Sequence, residues 1–165
     1  MRLFVAVRFS PEIRSALLEV IAALRRGGSG NFTRSENLHL TLAFLGETED
    51  LAGAKAALTE AVSGGAFPLT VGGFGSFGDL LWVGIAENPQ LQTLALNVQG
   101  ALRRKGFPIE RRSWKPHITV AREYRGPRSR LTVPNQTMTV RRVSLMKSER
   151  VNGYLTYTEV FGADL

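Results

Sequence analysis

The amino-acid sequence predicts an α+β fold built on antiparallel sheet, and three observations carry that expectation. Apolar and polar residues alternate along Leu38–Phe44 and again along Lys115–Arg122, the pattern of strands with one face on a core and the other open. Capped stretches with apolar residues at helical spacing lie between the strand-like runs. Of the 165 residues, 44% are hydrophobic and 21% charged, a balance that builds a core and excludes disordered or fibrous chains.

The elements follow in order. Leu3–Phe9 reads as a strand. Ser10-Pro11 then supplies an N-cap and a first helical residue, Ile13, Leu17, Val20, Ile21 and Leu24 share one side, and Arg25-Arg26-Gly27-Gly28 provides a cationic last turn and a stop. The strand beginning at Leu38 ends at Gly46. A second helix is expected from about Asp50 to Val62, closed by Gly64-Gly65, followed by strands at 67–74 and 80–86. Asn88-Pro89 opens a third helix with Leu91, Leu94, Val98 and Leu102 on one side, ending at Arg103-Arg104-Lys105-Gly106. After the strand at Lys115–Arg122, the segment Glu123–Gln136, with Arg125, Arg128, Arg130, Pro127 and Pro134, reads as the one long irregular loop. Strands at about 138–147 and 153–161 close the chain as a hairpin turning near Asn152-Gly153.

Composition narrows the chemistry. Cysteine is absent, which removes disulfides, thiolate metal sites and cysteine nucleophiles and suits a reducing compartment; two histidines cannot make a three-histidine zinc site. The apolar start, Leu3 to Val7, is too short for a signal segment and no run approaches the length of a membrane span, so a cytoplasmic, membrane-free protein is expected. Residues 1–82 carry net −1 and residues 83–165 net +8, and 17 of the 21 cations are arginine, whose planar fork suits phosphate. A polyanion partner fits that distribution, and so does a genome rich in arginine codons.

Both histidines lie in one pattern used twice, His39-Leu40-Thr41-Leu42 and His117-Ile118-Thr119-Val120, 78 residues apart. On a strand, residues i and i+2 share a face ~6.5–7 Å apart, so each copy presents an imidazole and a hydroxyl in one direction. A single copy is weak, because a strand histidine is usually structural; two copies that use every histidine are harder to dismiss. Placed across one cleft, two such pairs supply what in-line displacement at phosphorus needs: a base for the attacking water, an acid for the leaving oxygen and donors for the non-bridging oxygens. No metal and no cofactor is called for.

The residues around these motifs resemble the 2H phosphoesterases, and within them the RNA 2′,3′-cyclic phosphodiesterases, or 2′–5′ RNA ligases. The resemblance covers Arg2–Val7, Glu36–Glu47, Leu81–Gly84 and, most specifically, Trp114–Arg122. It implies a single domain over residues 1–165, made of two pseudo-symmetric lobes of antiparallel sheet with outer helices around a central V-shaped cleft, each lobe giving one motif. It implies hydrolysis of RNA 2′,3′-cyclic phosphate ends to 2′-phosphate, with ATP-independent 2′–5′ joining in reverse, His39 as proton donor and His117 as acceptor. A monomer acting on RNA is expected. The sequence departs from the family at Thr33-Arg34-Ser35, where an aromatic residue and proline are frequent, and at Asp79-Leu80, where a basic residue is frequent.

Other residues admit both a functional and an ordinary structural role. Gly73–Gly78 matches Gly-x-Gly-x-x-Gly, but a dinucleotide fingerprint opens a helix and here Leu80–Val83 reads as a strand, so a glycine-rich hairpin is expected, with Phe74 or Phe77 able to line the cleft. Lys115 and Arg122 are candidate phosphate contacts, although Arg122, five residues past His117, falls on the opposite face of a regular strand. Tyr154 and Tyr157 alternate in the last hairpin as base-stacking candidates or core, Tyr154 being taken as the substrate residue. The cluster Arg103, Arg104, Lys105, Arg111 and Arg112 reads equally as an RNA-tracking surface or a solvated helix end. Two other readings stay open: a non-catalytic RNA-binding relative, and a phosphoesterase acting on small nucleotide-derived cyclic phosphates.

Overall fold

The computed structural model describes residues 1–128 and 131–165; Arg130 of the basic loop lies outside them. Strand β1 (Arg2–Arg8) leads through the Ser10 cap, whose hydroxyl accepts from the Ile13 amide, into helix α1 (Pro11–Gly27). A short strand β2 (Ser29–Phe32) and a 3-10 turn (Ser35–Asn37) precede β3 (His39–Glu47), which carries the first motif. Helix α2 (Leu51–Ala61), strands β4 (Phe67–Phe77) and β5 (Leu80–Ile85) and helix α3 (Pro89–Arg104) follow. The second motif opens β6 (His117–Arg125); β7 (Gln136–Val140), β8 (Arg142–Val151) and β9 (Tyr154–Asp164) complete the chain.

The strands form two antiparallel sheets, one in the order β3-β1-β8-β9 and the other β2-β6-β5-β4-β7, so each sheet holds one motif. The α+β class and its antiparallel sheets are as the sequence predicts. Between the sheets and helices lies one core. Leu3, Val5 and Val7 of β1 join Ile13, Leu17, Val20 and Leu24 of α1 and Leu91, Leu94, Val98 and Leu102 of α3 there, at about 1.5–3 kcal/mol for each large aliphatic side chain withdrawn from water. The alternate residues of β1, Phe4 and Ala6, point the other way, into a small apolar cluster with Met146 and Tyr157 on the motif face.

Four boundaries differ from the sequence reading. The expected strand at 138–147 is two: β7 pairs with β4, the chain crosses at Arg141, and β8 pairs with β1, so one apolar run serves two sheets. Ser29–Phe32 forms an edge strand against β6 although Phe32 is the one strand-forming residue of its Ser-Gly-Asn-Phe sequence; pairing, not propensity, holds it. The second-motif strand begins at His117, because Pro116 gives no amide to a ladder, and it runs on to Arg125 through residues assigned to the loop. The glycine-rich stretch is a hairpin: β4 continues to Phe77 and turns at Gly78, and at Gly75 a Cβ would collide with the ring of Trp82.

Candidate active site

Both motif strands carry the same irregularity. On β3 the partners of β1 jump from Thr41 to Ala43, and on β6 the partners of β5 jump from Thr119 to Ala121, leaving Leu42 and Val120 as the extra residues of two bulges. In each strand the residue after the bulge is buried and the next is exposed, which returns Phe44 and Arg122 to the face of their own histidine and threonine. A regular strand would have turned Arg122 away; the bulge brings it to the motif face.

Four donors from outside the β1–β3 and β5–β6 ladders take the carbonyls of the two threonines and of the residues after them. Trp114 Nε1 donates to the Thr41 carbonyl at 3.1 Å and Gln99 Nε2 to the Leu42 carbonyl at 2.9 Å. The Thr33 hydroxyl donates to the Thr119 carbonyl at 2.9 Å and the Thr33 amide to the Val120 carbonyl at 3.0 Å. The residue ahead of each motif therefore holds the threonine of the other. Thr33 stood out in the sequence only as a departure from family habit, and Gln99 gave no signal beyond being polar within an apolar helix face.

The imidazoles are oriented alike. His39 Nδ1–H donates to the Asn37 carbonyl at 2.6 Å and His117 Nδ1–H to the Lys115 carbonyl at 2.8 Å, so each ring turns Nε2 outward from the strand. His39 Nε2 lies 2.8 Å from the Thr41 hydroxyl. Burial holds the His39 imidazole below the ordinary histidine pKa; its bond to Asn37 acts against this, and the charges of His117 and Arg122 add to the lowering. Those two charges thus bear on His39 from the other sheet. Arg122 and Arg2 also favour the ionised form of Tyr157, although burial prevails and raises that phenol.

Aromatic side chains flank each ring. Phe4 lies 4.9 Å and Tyr157 5.1 Å from His39, centroid to centroid, while Phe77 lies 5.2 Å from His117 and 5.5 Å from Trp82. Of the expected residues, His39 and Thr41 share one face of β3, His117, Thr119 and Arg122 share one face of β6, and Phe77 packs against His117. Lys115 contributes its backbone carbonyl and leaves an exposed side chain ahead of β6. Tyr154 is 60% exposed beside the Arg34 guanidinium, 4.6 Å from its ring centre, and the tyrosine against His39 is Tyr157. Phe4 and Tyr157 could be placed only with the sheet order known.

The basic cluster after α3 is largely engaged: Arg103 donates to the carbonyls of Ile109 and Glu110, Arg104 and Lys105 reach Glu60, and Arg112 pairs with Glu110. These contacts favour the helix-end reading. Among the described residues no group of three or more His, Cys, Asp or Glu gathers as a metal-ligand set, and no helix is long and apolar enough to cross a membrane.

Comparison with known proteins follows the same lines. The family model described as the 2′-5′ RNA ligase superfamily matches residues 10–152. A Thermotoga maritima protein named RNA 2′,3′-cyclic phosphodiesterase is 34% identical over 131 residues, covering 74% of this chain and 70% of that protein. A Geobacillus stearothermophilus protein of the same name is 36% identical over 105 residues, a match over 58% of this chain and 33% of that relative's length. The crystal structure of E. coli LigT complexed with 3′-AMP superposes with a TM-score of 0.80 at 28% identity, covering 99% of this chain and 96% of that one.

Proposed function

The chain belongs to the 2′-5′ RNA ligase superfamily, and from that premise we propose that it hydrolyses 2′,3′-cyclic phosphate ends of RNA to 2′-phosphates, with 2′–5′ joining when an RNA 5′-hydroxyl takes the place of the attacking water. The observation that supports this best is the matched pair of His-Thr faces, each fixed by a bulge and by a donor from the opposite motif.

In the proposed mechanism water attacks phosphorus and gives a proton to His117 Nε2, whose ring is held by the Lys115 carbonyl. The bond from phosphorus to the ribose 3′-oxygen breaks, and that oxygen takes the proton of the His39 imidazolium. Thr41, Thr119 and Arg122 donate to the non-bridging oxygens, where charge grows. Turnover leaves His39 neutral and His117 protonated, and exchange with solvent resets them. Burial disfavours the imidazolium of His39 in the free protein; an anionic phosphate beside it works in the opposite sense. The reaction draws on imidazoles, hydroxyls and a guanidinium, so it is proposed to proceed in EDTA and without ATP.

A substrate with sulfur in place of the 3′-oxygen tests the assignment, because a thiolate leaves without protonation. His39→Ala is expected to regain most of its lost rate on that substrate while His117→Ala stays slow. Rescue of His117→Ala alone reverses the two roles, and loss of wild-type turnover in EDTA overturns the metal-free mechanism.

A further inference from the structure

The geometry points to a second anion subsite beside His39, formed by Arg8 and Arg141, which takes the 5′-phosphate of the nucleotide bearing the cyclic end. This rests on the proposed function. Arg8 pairs with His39 across β1 and β3, and residues directly opposite in an antiparallel pair project to the same face. The pattern along β1 agrees: Phe4 and Ala6 belong to the cluster beside His39, and Arg8 is the next residue of that row. The row ends in a pocket of about 280 Å³ lined by Arg8, Arg14, Arg141, Arg142, Ser144 and Glu159.

Four arginines and one carboxylate give this pocket an excess of positive charge, and two arginines are already committed. Arg142 binds Glu159 and Asp164, and Glu159 also accepts from Ser144. Arg14 donates to the Ser35 carbonyl, in the turn that leads to His39. Among the described residues, Arg8 and Arg141 have no carboxylate within ion-pair distance. Arg141 is the crossing residue between the sheets and lines the same pocket.

A planar guanidinium pair matches the oxygens of a phosphate diester or monoester, which it can bind through paired, charge-assisted hydrogen bonds. A strand's neighbour lies roughly 4.8 Å away, so Arg8 reaches a group one sugar removed from a phosphorus held at His39. In an RNA 2′,3′-cyclic end, that group is the terminal nucleotide's own 5′-phosphate. The subsite therefore favours an RNA end over a bare cyclic nucleoside phosphate.

The test compares three probes: adenosine 2′,3′-cyclic phosphate, the same compound carrying a 5′-phosphate, and a dinucleotide with a 2′,3′-cyclic end. Wild type is expected to show a KM about tenfold lower for the two 5′-phosphorylated probes, and the R8Q/R141Q double variant is expected to lose that ratio. Its log KM should also depend less on log salt, by ~0.7 for each phosphate contact removed. A wild-type KM ratio near one, or a ratio kept by the double variant, overturns the subsite. If the double variant does not melt as a folded protein, R8Q and R141Q singly carry the same comparison. Turnover of none of the probes by wild type overturns the proposed function itself, and the subsite with it.

Discussion

Protonation of His39 moves two hydrogens together. The Asn37 carbonyl can only accept, so Nδ1 carries a hydrogen in every state; in the neutral ring Nε2 then accepts from the Thr41 hydroxyl. When Nε2 gains a proton it becomes a donor, and the Thr41 hydrogen is released to serve a phosphate oxygen. One proton thus prepares both the proposed acid and its neighbouring donor. Because burial and two positive neighbours lower this pKa, the His39 ring should titrate by NMR below the ordinary value of about 6.5, and Arg122→Gln should move its midpoint upward by removing one of those charges. A wild-type midpoint at or above 6.5, or no movement in the variant, would contradict the arrangement. Thr41→Val and Thr119→Val should each lower kcat by ~10²-fold with the fold intact, the size of effect seen when one oxyanion donor is removed; unchanged kcat would make that threonine structural.

Bulges set the chemistry at the level of the strand. If Leu42 and Val120 continued a regular alternation, Phe44 and Arg122 would face the core. Gln99→Leu leaves the buried Leu42 carbonyl without its donor and should cost about 1–3 kcal/mol, read as a lowered Tm. Thr33→Val removes the hydroxyl bond to the Thr119 carbonyl and should reduce kcat more than it changes KM, with Thr33→Ser restoring it; equal recovery failure in both variants would assign Thr33 to folding alone. The two His-x-Thr-x strands, the three helix starts and the glycine hairpin were legible because alternation, caps and turn residues act locally. The bulges were not: Leu38, Leu40, Leu42 and Phe44 read as one regular face with Ala43 opposite, beside His39 and Thr41, whereas Ala43 is buried and Phe44 exposed, and the shift exists only relative to β1. Phe4 escaped for the same reason, and Tyr157 stood only as one of two alternating tyrosines, since their contact with His39 needs β1 and β9 placed by the sheet.

At the scale of the molecule Trp114, just ahead of β6, ties its sheet to the first motif by donating to the Thr41 carbonyl, while Thr33, where the chain leaves β2 for β3, holds the Thr119 carbonyl. Trp114→Phe keeps the ring and deletes the donor, so it should lower kcat while leaving Tm within a few degrees, whereas a Tm drop with unchanged kcat would separate the bond from the site. The sheet order adds a consequence in time. The five-stranded sheet uses only residues between Ser29 and Val140, whereas the four-stranded sheet joins β1 and β3 to β8 and β9. Chains emerge from the ribosome N-terminus first and fold as they lengthen. For most of its synthesis the nascent chain therefore carries His39 with neither Met146 nor Tyr157 available to it, and a message cut short before Tyr157 yields a product lacking that wall of the proposed catalytic face. An enzyme directed at broken RNA would in this way be completed only by an unbroken transcript.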